Sequence, residues 1–272
     1  MQDALSPTEQ PGRWDHLEDM SAEDIAAAMS ACDLEAVQAV AKLHGVMGEV
    51  TALALERVMR GGRVFYLGAG TSGRLGILDA SEIPPTFGAH GIFIGLIAGG
   101  DSAIRQAVEG AEDDAEGGIR DLKAHSASAH DVVVGIAASG RTPYVVGALR
   151  WAREQGILTV AMTSNTKGAV VAAAEHALVA ETGPEFVTGS TRLKAGTAQK
   201  LMLNQLSTGI MIGRGHVKGN RMVDMQLANA KLVERGSRMV SEALGISMDR
   251  ARVLLTESGS VRKAIDTFAA RG

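Results

Sequence analysis

Between Leu34 and Met59, apolar residues recur mostly at intervals of three or four, through Val37, Val40, Leu43, Val46, Val50, Leu53, Leu55 and Val58. That spacing predicts helix. Ser21-Ala22-Glu23-Asp24 ahead of it supplies an N-cap with acids in the first turn, and Gly61-Gly62 ends the pattern. Beyond the glycines, short β-branched runs alternate with stretches of helical spacing. Strands are predicted at 63–67, 92–97, 132–137, 157–162 and 176–180, and helices at 73–80, 102–123, 143–155 and 166–174. This alternation predicts an α/β fold, a doubly wound parallel five-stranded sheet covered by helices on both faces. A long helix is expected from Leu193 to about Ile212, interrupted afterwards by Gly213, Gly215 and Gly219. From about Gly236 the pattern reads as three short amphipathic helices, with Leu244-Gly245-Ile246-Ser247 as turn and cap and Gly259 as a second break. The expected division is an N-terminal arm and helices over 1–45, the sheet domain over 46–215, and a C-terminal helical region over 216–272 that ends in the small three-helix unit. Residues 1 to about 20 are polar and hold Pro7, Pro11 and Gly12, which reads as an extended or loosely ordered arm.

Composition narrows the partners. The 272 residues are 46% hydrophobic but only 3% aromatic, with 33 glycines, so the core must be built from Ala, Val, Leu, Ile and Met with close backbone packing. Net charge is −4 and no basic block is present, which argues against nucleic acid as a partner. Cys32 is the single cysteine, excluding an intramolecular disulfide and a cysteine-based zinc cluster and fitting a reducing compartment. The start of the chain lacks a basic-then-apolar segment, and no uncharged apolar run approaches the ~20 residues of a membrane span. A cytoplasmic protein with no membrane partner is therefore expected. The seven histidines include no H-x-x-x-H pair, so no metal site is expected either.

Candidate chemistry lies in a turn that occurs twice. Leu67-Gly68-Ala69-Gly70-Thr71-Ser72-Gly73-Arg74 and Ile136-Ala137-Ala138-Ser139-Gly140-Arg141-Thr142 each follow a predicted strand and enter a helical stretch. A helix start leaves N–H groups that favour an anion, and two such turns in one parallel sheet suggest one phosphate held from two sides. Gly68, Gly70 and Gly73 also match G-x-G-x-x-G. A dinucleotide site, however, needs an acid at the end of the next strand, where this chain has Ala98-Gly99-Gly100. Thr71, Ser72, Ser139 and Thr142 instead offer hydroxyl donors suited to a compact phosphomonoester. The bland alternative is that these residues cap helices. Backbone N–H groups at Gly73 and Gly140 complete the expected cradle, to which Arg74 and Arg141 would add charge.

The turn pair resembles the sugar-isomerase phosphosugar-binding domain. A narrower likeness rests on Tyr66-Leu67-Gly68-Ala69-Gly70-Thr71-Ser72-Gly73-Arg74-Leu75-Gly76, Leu78-Asp79-Ala80-Ser81-Glu82 and Pro84-Pro85-Thr86-Phe87-Gly88. It continues through Leu96-Ile97-Ala98-Gly99-Gly100-Asp101, Ala107-Val108-Glu109-Gly110-Ala111-Glu112-Asp113 and Thr188-Gly189-Ser190-Thr191-Arg192-Leu193-Lys194-Ala195-Gly196-Thr197-Ala198-Gln199-Lys200, and through Met222-Val223-Asp224-Met225 before Asn229-Ala230-Lys231-Leu232-Val233. Over roughly residues 55 to 270 these blocks are similar to the N-acetylmuramic acid 6-phosphate etherases. The resemblance implies cleavage of the substrate's D-lactyl ether to N-acetylglucosamine 6-phosphate and D-lactate in peptidoglycan amino-sugar recycling, with neither metal nor redox cofactor. It also implies a homodimer and a ubiquitin-associated-like C-terminal unit. Gln10-Pro11-Gly12-Arg13 departs from the family pattern, which weakens any substrate role for the arm.

By the same motif match the catalytic pair is Glu82 and Glu112. Once the pyranose opens, the C1 aldehyde acidifies the C2 proton, so one carboxylate can remove it while another carboxyl protonates the departing lactate oxygen at C3. Glu112 is expected as the base and Glu82 as the acid, with Pro84-Pro85 ending its helix and fixing that carboxyl near the strand ends. Out of context, Glu109, Glu112, Asp113, Asp114 and Glu116 read as a solvated helix face. Arg192, Lys194 and Lys231 are candidates for the lactyl carboxylate, Lys231 from a neighbouring subunit. Two other readings compete: a non-catalytic phosphosugar-sensing regulator and an aldose–ketose sugar-phosphate isomerase. The chain ends lack a basic helix-turn-helix, and an isomerase has no use for a leaving-group acid.

Overall fold

The computed structural model describes residues 6–270. Two compact units make up the chain: one takes the chain up to Ala80 together with Ile92–Thr208, and the other takes Ser81–Gly91 together with everything from Gly209 onward. Among the described residues no helix is long and apolar enough to cross a membrane.

In the first unit, α1 (Ala22–Ala41) and α2 (His44–Met59) precede β1 (Val64–Gly68). Ser21 caps α1 by accepting from Asp24 N at 3.1 Å, as its position predicts. The apolar spacing from Leu34 to Met59 runs across a turn at Lys42 and Leu43, because a periodic face does not reveal a break that keeps the same side inward. Next come α3 (Gly70–Phe87), β2 (Phe93–Ile97), α4 (Gly117–Ala124), β3 (Val132–Ile136), α5 (Pro143–Glu154), β4 (Leu158–Thr163), α6 (Ala169–Ala173), β5 (His176–Val179) and α7 (Lys194–Gly213). All five strands pair in parallel in the order β2-β1-β3-β4-β5. The sheet and its alternation with helices are as predicted.

Small residues let the layers close up. Phe65, Leu67, Val133, Tyr144, Val145, Leu149 and Ile157 share one buried core. A Cβ on Gly147 would lie 2.0 Å from the Ala115 carbonyl oxygen, so α5 passes that segment at a distance only glycine allows. At the starts of β1 and β3, Asp131 accepts from Arg63 N at 2.8 Å and from its Nη2 at 2.9 Å, tying the strands together.

Three expectations need correction. The helix expected over 102–123 is mostly absent: 3-10 turns at Asp101–Ile104 and Ala111–Asp113 lead into the eight-residue α4. Gly99, Gly100 and Gly110 take positive φ there, which a continuing helix cannot contain. Pro84-Pro85 do not end α3, which runs on to Phe87 and closes where Gly88 N donates to Pro84 O at 2.8 Å. Of the arm, residues 1–5 lie outside the described residues. From Ser6 onward it is held, with Ser6 and Thr8 buried and Gly189 N donating to Thr8 O at 3.1 Å.

In the second unit, the short strands β6 (Val217–Lys218) and β7 (Arg221–Met222) pair antiparallel, and α8 (Ala230–Leu244), α9 (Met248–Ser258) and α10 (Val261–Ala269) come after them. The side chains of Asn229, Ser247 and Ser260 cap the three helices, and left-handed Gly245 and Gly259 close the first two. The first helix starts at Ala230 rather than near Gly236, because Asn229 supplies the cap. Val223, Met225, Met239, Val240, Leu254, Leu255 and Val261 form the core of this unit.

Candidate functional site

From β1 the chain moves to β2 on one side and then to β3 on the other, so the strand order reverses between β1 and β3. Ligands of open α/β sheets bind outside the carboxyl ends of the strands at such a switch point. Both Ser-Gly turns leave the sheet there. Gly68 at the end of β1 is the register partner of Ile136 at the end of β3, so the turns start side by side.

In the first turn α3 begins at Gly70, and the first N–H groups of a helix have no acceptor within that helix. Ser72 is buried and its hydroxyl donates to Gln199 Oε1 on α7 at 2.9 Å. Thr71 is half-buried. A Cβ on Gly73 would lie 2.6 Å from Ile97 Cγ1 and 2.7 Å from Gly68 O, so glycine is required for the helix to pass the sheet. Gly73 N already donates to Ala69 O at 3.2 Å.

In the second turn the chain reaches α5 later. Thr142 precedes Pro143 and makes no side-chain cap bond, and Ser139 Oγ accepts from Arg141 N at 3.3 Å. Gly140 takes φ +71°, and a Cβ there would sit 2.7 Å from Gly168 Cα. Its N–H donates to Ala137 O at 3.0 Å. The N–H groups of both glycines are thus engaged within the chain, and both glycines allow a close approach of backbone that a Cβ would prevent. Asn165 Nδ2 donates to Ser139 O at 2.9 Å and to Ser6 Oγ at 3.4 Å, and Ser6 Oγ is 3.1 Å from Thr8 Oγ1. The arm therefore braces this turn.

Glu112 is exposed in the 3-10 turn Ala111–Asp113 and lines a cavity of about 200 Å³ with Gly70, Arg74, Ala98 and Glu109. It is not on a helix face, so the solvated-face reading of the acid cluster does not describe it. Glu82 is exposed on α3 and belongs to the second unit. Glu82 lies eleven residues beyond Thr71 on the same helix, roughly 16 Å of rise along α3.

The cations sort unevenly. Arg74 Nε donates to Ile104 O at 2.9 Å, while Arg192 and Lys231 are exposed. Lys194 is buried and its Nζ lies 2.7 Å from Glu35 Oε2. The hydrogen bond from Lys194 is the main cause that holds the Glu35 carboxyl below its ordinary value, against its partial burial. Lys194 is committed to that pair and is no candidate for the lactyl carboxylate. His16, Glu18 and Asp19 bring possible ligand atoms within 4.8 Å of one another, all on exposed side chains.

Sequence reasoning passed over Gln199, Asn165 and Asp79. Gln199 is buried, and among the described residues its Nε2 has no hydrogen-bond partner. Asp79 is buried on α3, accepting from Asn204 Nδ2 at 2.6 Å and Ser207 Oγ at 3.2 Å; burial raises its carboxyl pKa despite these bonds. Asp79 and Gln199 fall inside the motif blocks that carry the family likeness but received no role there, and Asn165 stands in no such block.

Residues 46–153 match the glucokinase regulatory protein N-terminal SIS domain and residues 111–208 the SIS domain. Among solved structures, a phosphoheptose isomerase from Francisella tularensis superposes with a TM-score of 0.55 at 17% identity, covering 71% of this chain and 100% of that one. The fold and the paired turns together define a SIS-domain protein. N-acetylmuramic acid 6-phosphate etherases from Bacteroides thetaiotaomicron and Christiangramia forsetii are 50% and 52% identical over 262 and 260 residues, covering 96% and 95% of this chain and 95% of each relative. The chain belongs to the N-acetylmuramic acid 6-phosphate etherase family.

Proposed function

We propose that this protein is a carbon–oxygen lyase that converts N-acetylmuramic acid 6-phosphate to N-acetylglucosamine 6-phosphate and D-lactate in amino-sugar recycling. The carrying observation is the pair of hydroxyl-bearing turns side by side at the switch point of a chain half identical, over nearly its full length, to etherases of that substrate. Thr71, Ser139 and Thr142, with the first-turn N–H groups of α3, hold the 6-phosphate, and the Ser72 hydroxyl joins them by turning its one proton from Gln199 to the phosphate; Gly73 and Gly140 let the backbone come close enough. The Nε2 of Gln199 is a further donor on the same side as Ser72.

With the sugar ring open, Glu112 takes the C2 proton. The C3–O bond breaks as Glu82 gives its proton to the lactate oxygen, leaving a C2=C3 double bond conjugated with the aldehyde. Water then adds, its oxygen to C3 and a proton from Glu112 to C2, while Glu82 regains a proton from that water. Both carboxyls return to their starting states. The rise of α3 from Thr71 to Glu82, roughly 16 Å, exceeds the span from phosphate to O3 of a hexose 6-phosphate. Glu82 therefore serves a substrate held by a second copy, and the working form is a homodimer. A single unpaired cysteine, Cys32, fits work in the cytoplasm.

NMR of the substrate in D₂O with a D-lactate assay, without added metal or nucleotide, tests this. Glu82→Gln is expected to lose lactate release by about 10²–10⁴ while still exchanging the C2 proton, and Glu112→Gln to lose both. Exchange surviving only in Glu112→Gln would reverse the roles. Mixing the two inactive variants should restore about a quarter of wild-type activity, because half of the dimers are mixed and each has one intact pair. No recovery on mixing would place both carboxylates in one chain's site.

A further inference from the structure

The last turns of α3 are weak by construction. Proline has no N–H, so Pro84 and Pro85 remove the two helical hydrogen bonds that would run back to residues 80 and 81, and Glu82 lies within the turn those bonds would close. Other contacts in the second unit take their place. Gln226 N donates to Pro85 O at 3.1 Å, and the Gln226 side chain meets His90 Nε2 at 2.9 Å. Gly88 takes φ +64°, and a Cβ there would be 2.2 Å from Asp224 O, so the helix end lies directly against that carbonyl. Buried Phe87 packs edge-on to His216, their ring centroids 6.5 Å apart.

The gripping segment is itself anchored. Asp224 accepts from Arg262 Nε at 2.7 Å and Nη2 at 2.6 Å, and its Oδ2 is 2.9 Å from His216 Nδ1. Arg262 N also donates to Val223 O at 3.1 Å. Val223 and Met225, on either side of Asp224, are buried in the core made by α8, α9 and α10. Burial of Asp224 works against its charge, but Arg262 and then His216 outweigh it and hold the carboxyl below its ordinary value.

We infer that Asp224 is a positioning residue for Glu82: through the segment Asp224 to Gln226, the three-helix unit sets where the proline-weakened end of α3 holds that carboxylate. This rests on the role given to Glu82 under the proposed function. Misplacement of a reacting group by about 1 Å costs up to about 10²-fold in rate, so the inference predicts a kinetic signature and not only a loss of stability.

The test compares Asp224→Asn and Arg262→Gln with Glu82→Gln in the same D₂O experiment on N-acetylmuramic acid 6-phosphate, with thermal unfolding followed in parallel. Arg262 is partly exposed, which keeps a foldable variant available if Asp224→Asn is unstable. The expected result is a loss of lactate release of about tenfold or more with C2 exchange kept within about twofold, the pattern of Glu82→Gln in weaker form. Folded Arg262→Gln enzyme that loses release and exchange in equal proportion, or neither, overturns the positioning role while leaving Glu82 in place. Unimpaired Glu82→Gln removes the carboxylate from the mechanism, and this inference with it.

Discussion

The two Ser-Gly-Arg turns share their sequence and their place after a strand, yet they are built on different backbones. Ser72-Gly73-Arg74 already lies inside α3, whereas Ser139-Gly140-Arg141 is loop ahead of α5. The difference comes from the residues just beyond each turn. Pro143 disfavours helical backbone at the residue before it, so Thr142 is held at ψ 113° and the second helix cannot begin earlier. The first turn has no proline after Gly73, and its helix starts at Gly70. Consequently the first serine points into the protein toward Gln199, while the second, among the described residues, meets a backbone N–H two residues on. The same three residues give one turn anchored by a helix across the unit and another anchored by the arm. What the repeat specifies is a hydroxyl and a close backbone at a strand end, not a conformation.

The largest effect tests what the turns share. Both are assigned to the same phosphate, so unphosphorylated N-acetylmuramic acid should lose at least two charge-assisted hydrogen bonds of about 1.5–3 kcal/mol each. That corresponds to a fall of about 10²–10⁴ in kcat/KM, read from D-lactate release. Equal efficiency with both substrates would break the shared role and return the serines to purely structural duty.

The sheet was legible in the sequence because fully buried parallel strands are short β-branched runs, and Val132-Val133-Val134 could hardly be anything else. The region from 102 to 123 was not, because its acids and alanines fit helical spacing while the glycines that break it act through φ rather than through hydrophobicity. Past Pro84-Pro85, α3 is met by Gln226, whose N–H donates to Pro85 O from far along the chain, a partner that no local rule contains. The site divides in the same way. Thr71, Ser72, Ser139 and Thr142 announce themselves by their place after strands, whereas Gln199 meets Ser72 across 127 residues of chain and Asn165 meets Ser6 across 159. Long-range polar partners leave no periodic trace.

A pair of variants sharpens the contrast between the turns. Ser72→Ala takes from the buried Gln199 carboxamide the hydroxyl that donates to its Oε1, and leaving a buried acceptor unsatisfied costs about 1–3 kcal/mol. It should therefore lower the unfolding midpoint in urea as well as substrate affinity. Ser139→Ala removes a single local bond at 3.3 Å, so its stability should stay within about 0.5 kcal/mol of wild type while affinity for the phosphosugar falls about tenfold or more. Equal destabilisation by both would show that the turns are anchored alike.

The smallest expected effect tests the arm. Among the described residues Ser6 reaches the second turn through Asn165, whose Nδ2 spans Ser6 Oγ and Ser139 O, and the 3.4 Å contact at Ser6 is long for a hydrogen bond. Ser6→Ala alone should change phosphosugar affinity by less than about 1 kcal/mol, measured by titration calorimetry. The informative quantity is coupling. Ser6 and Ser139 share a partner, so in a double-mutant cycle Ser6→Ala and Ser139→Ala should be non-additive by about 0.5 kcal/mol or more, whereas Ser6→Ala and Ser72→Ala should add. Coupling of Ser6 to Ser72 instead of Ser139 would mean that the arm acts on the first turn, and the difference in anchoring between the turns would have to be sought elsewhere than in Asn165.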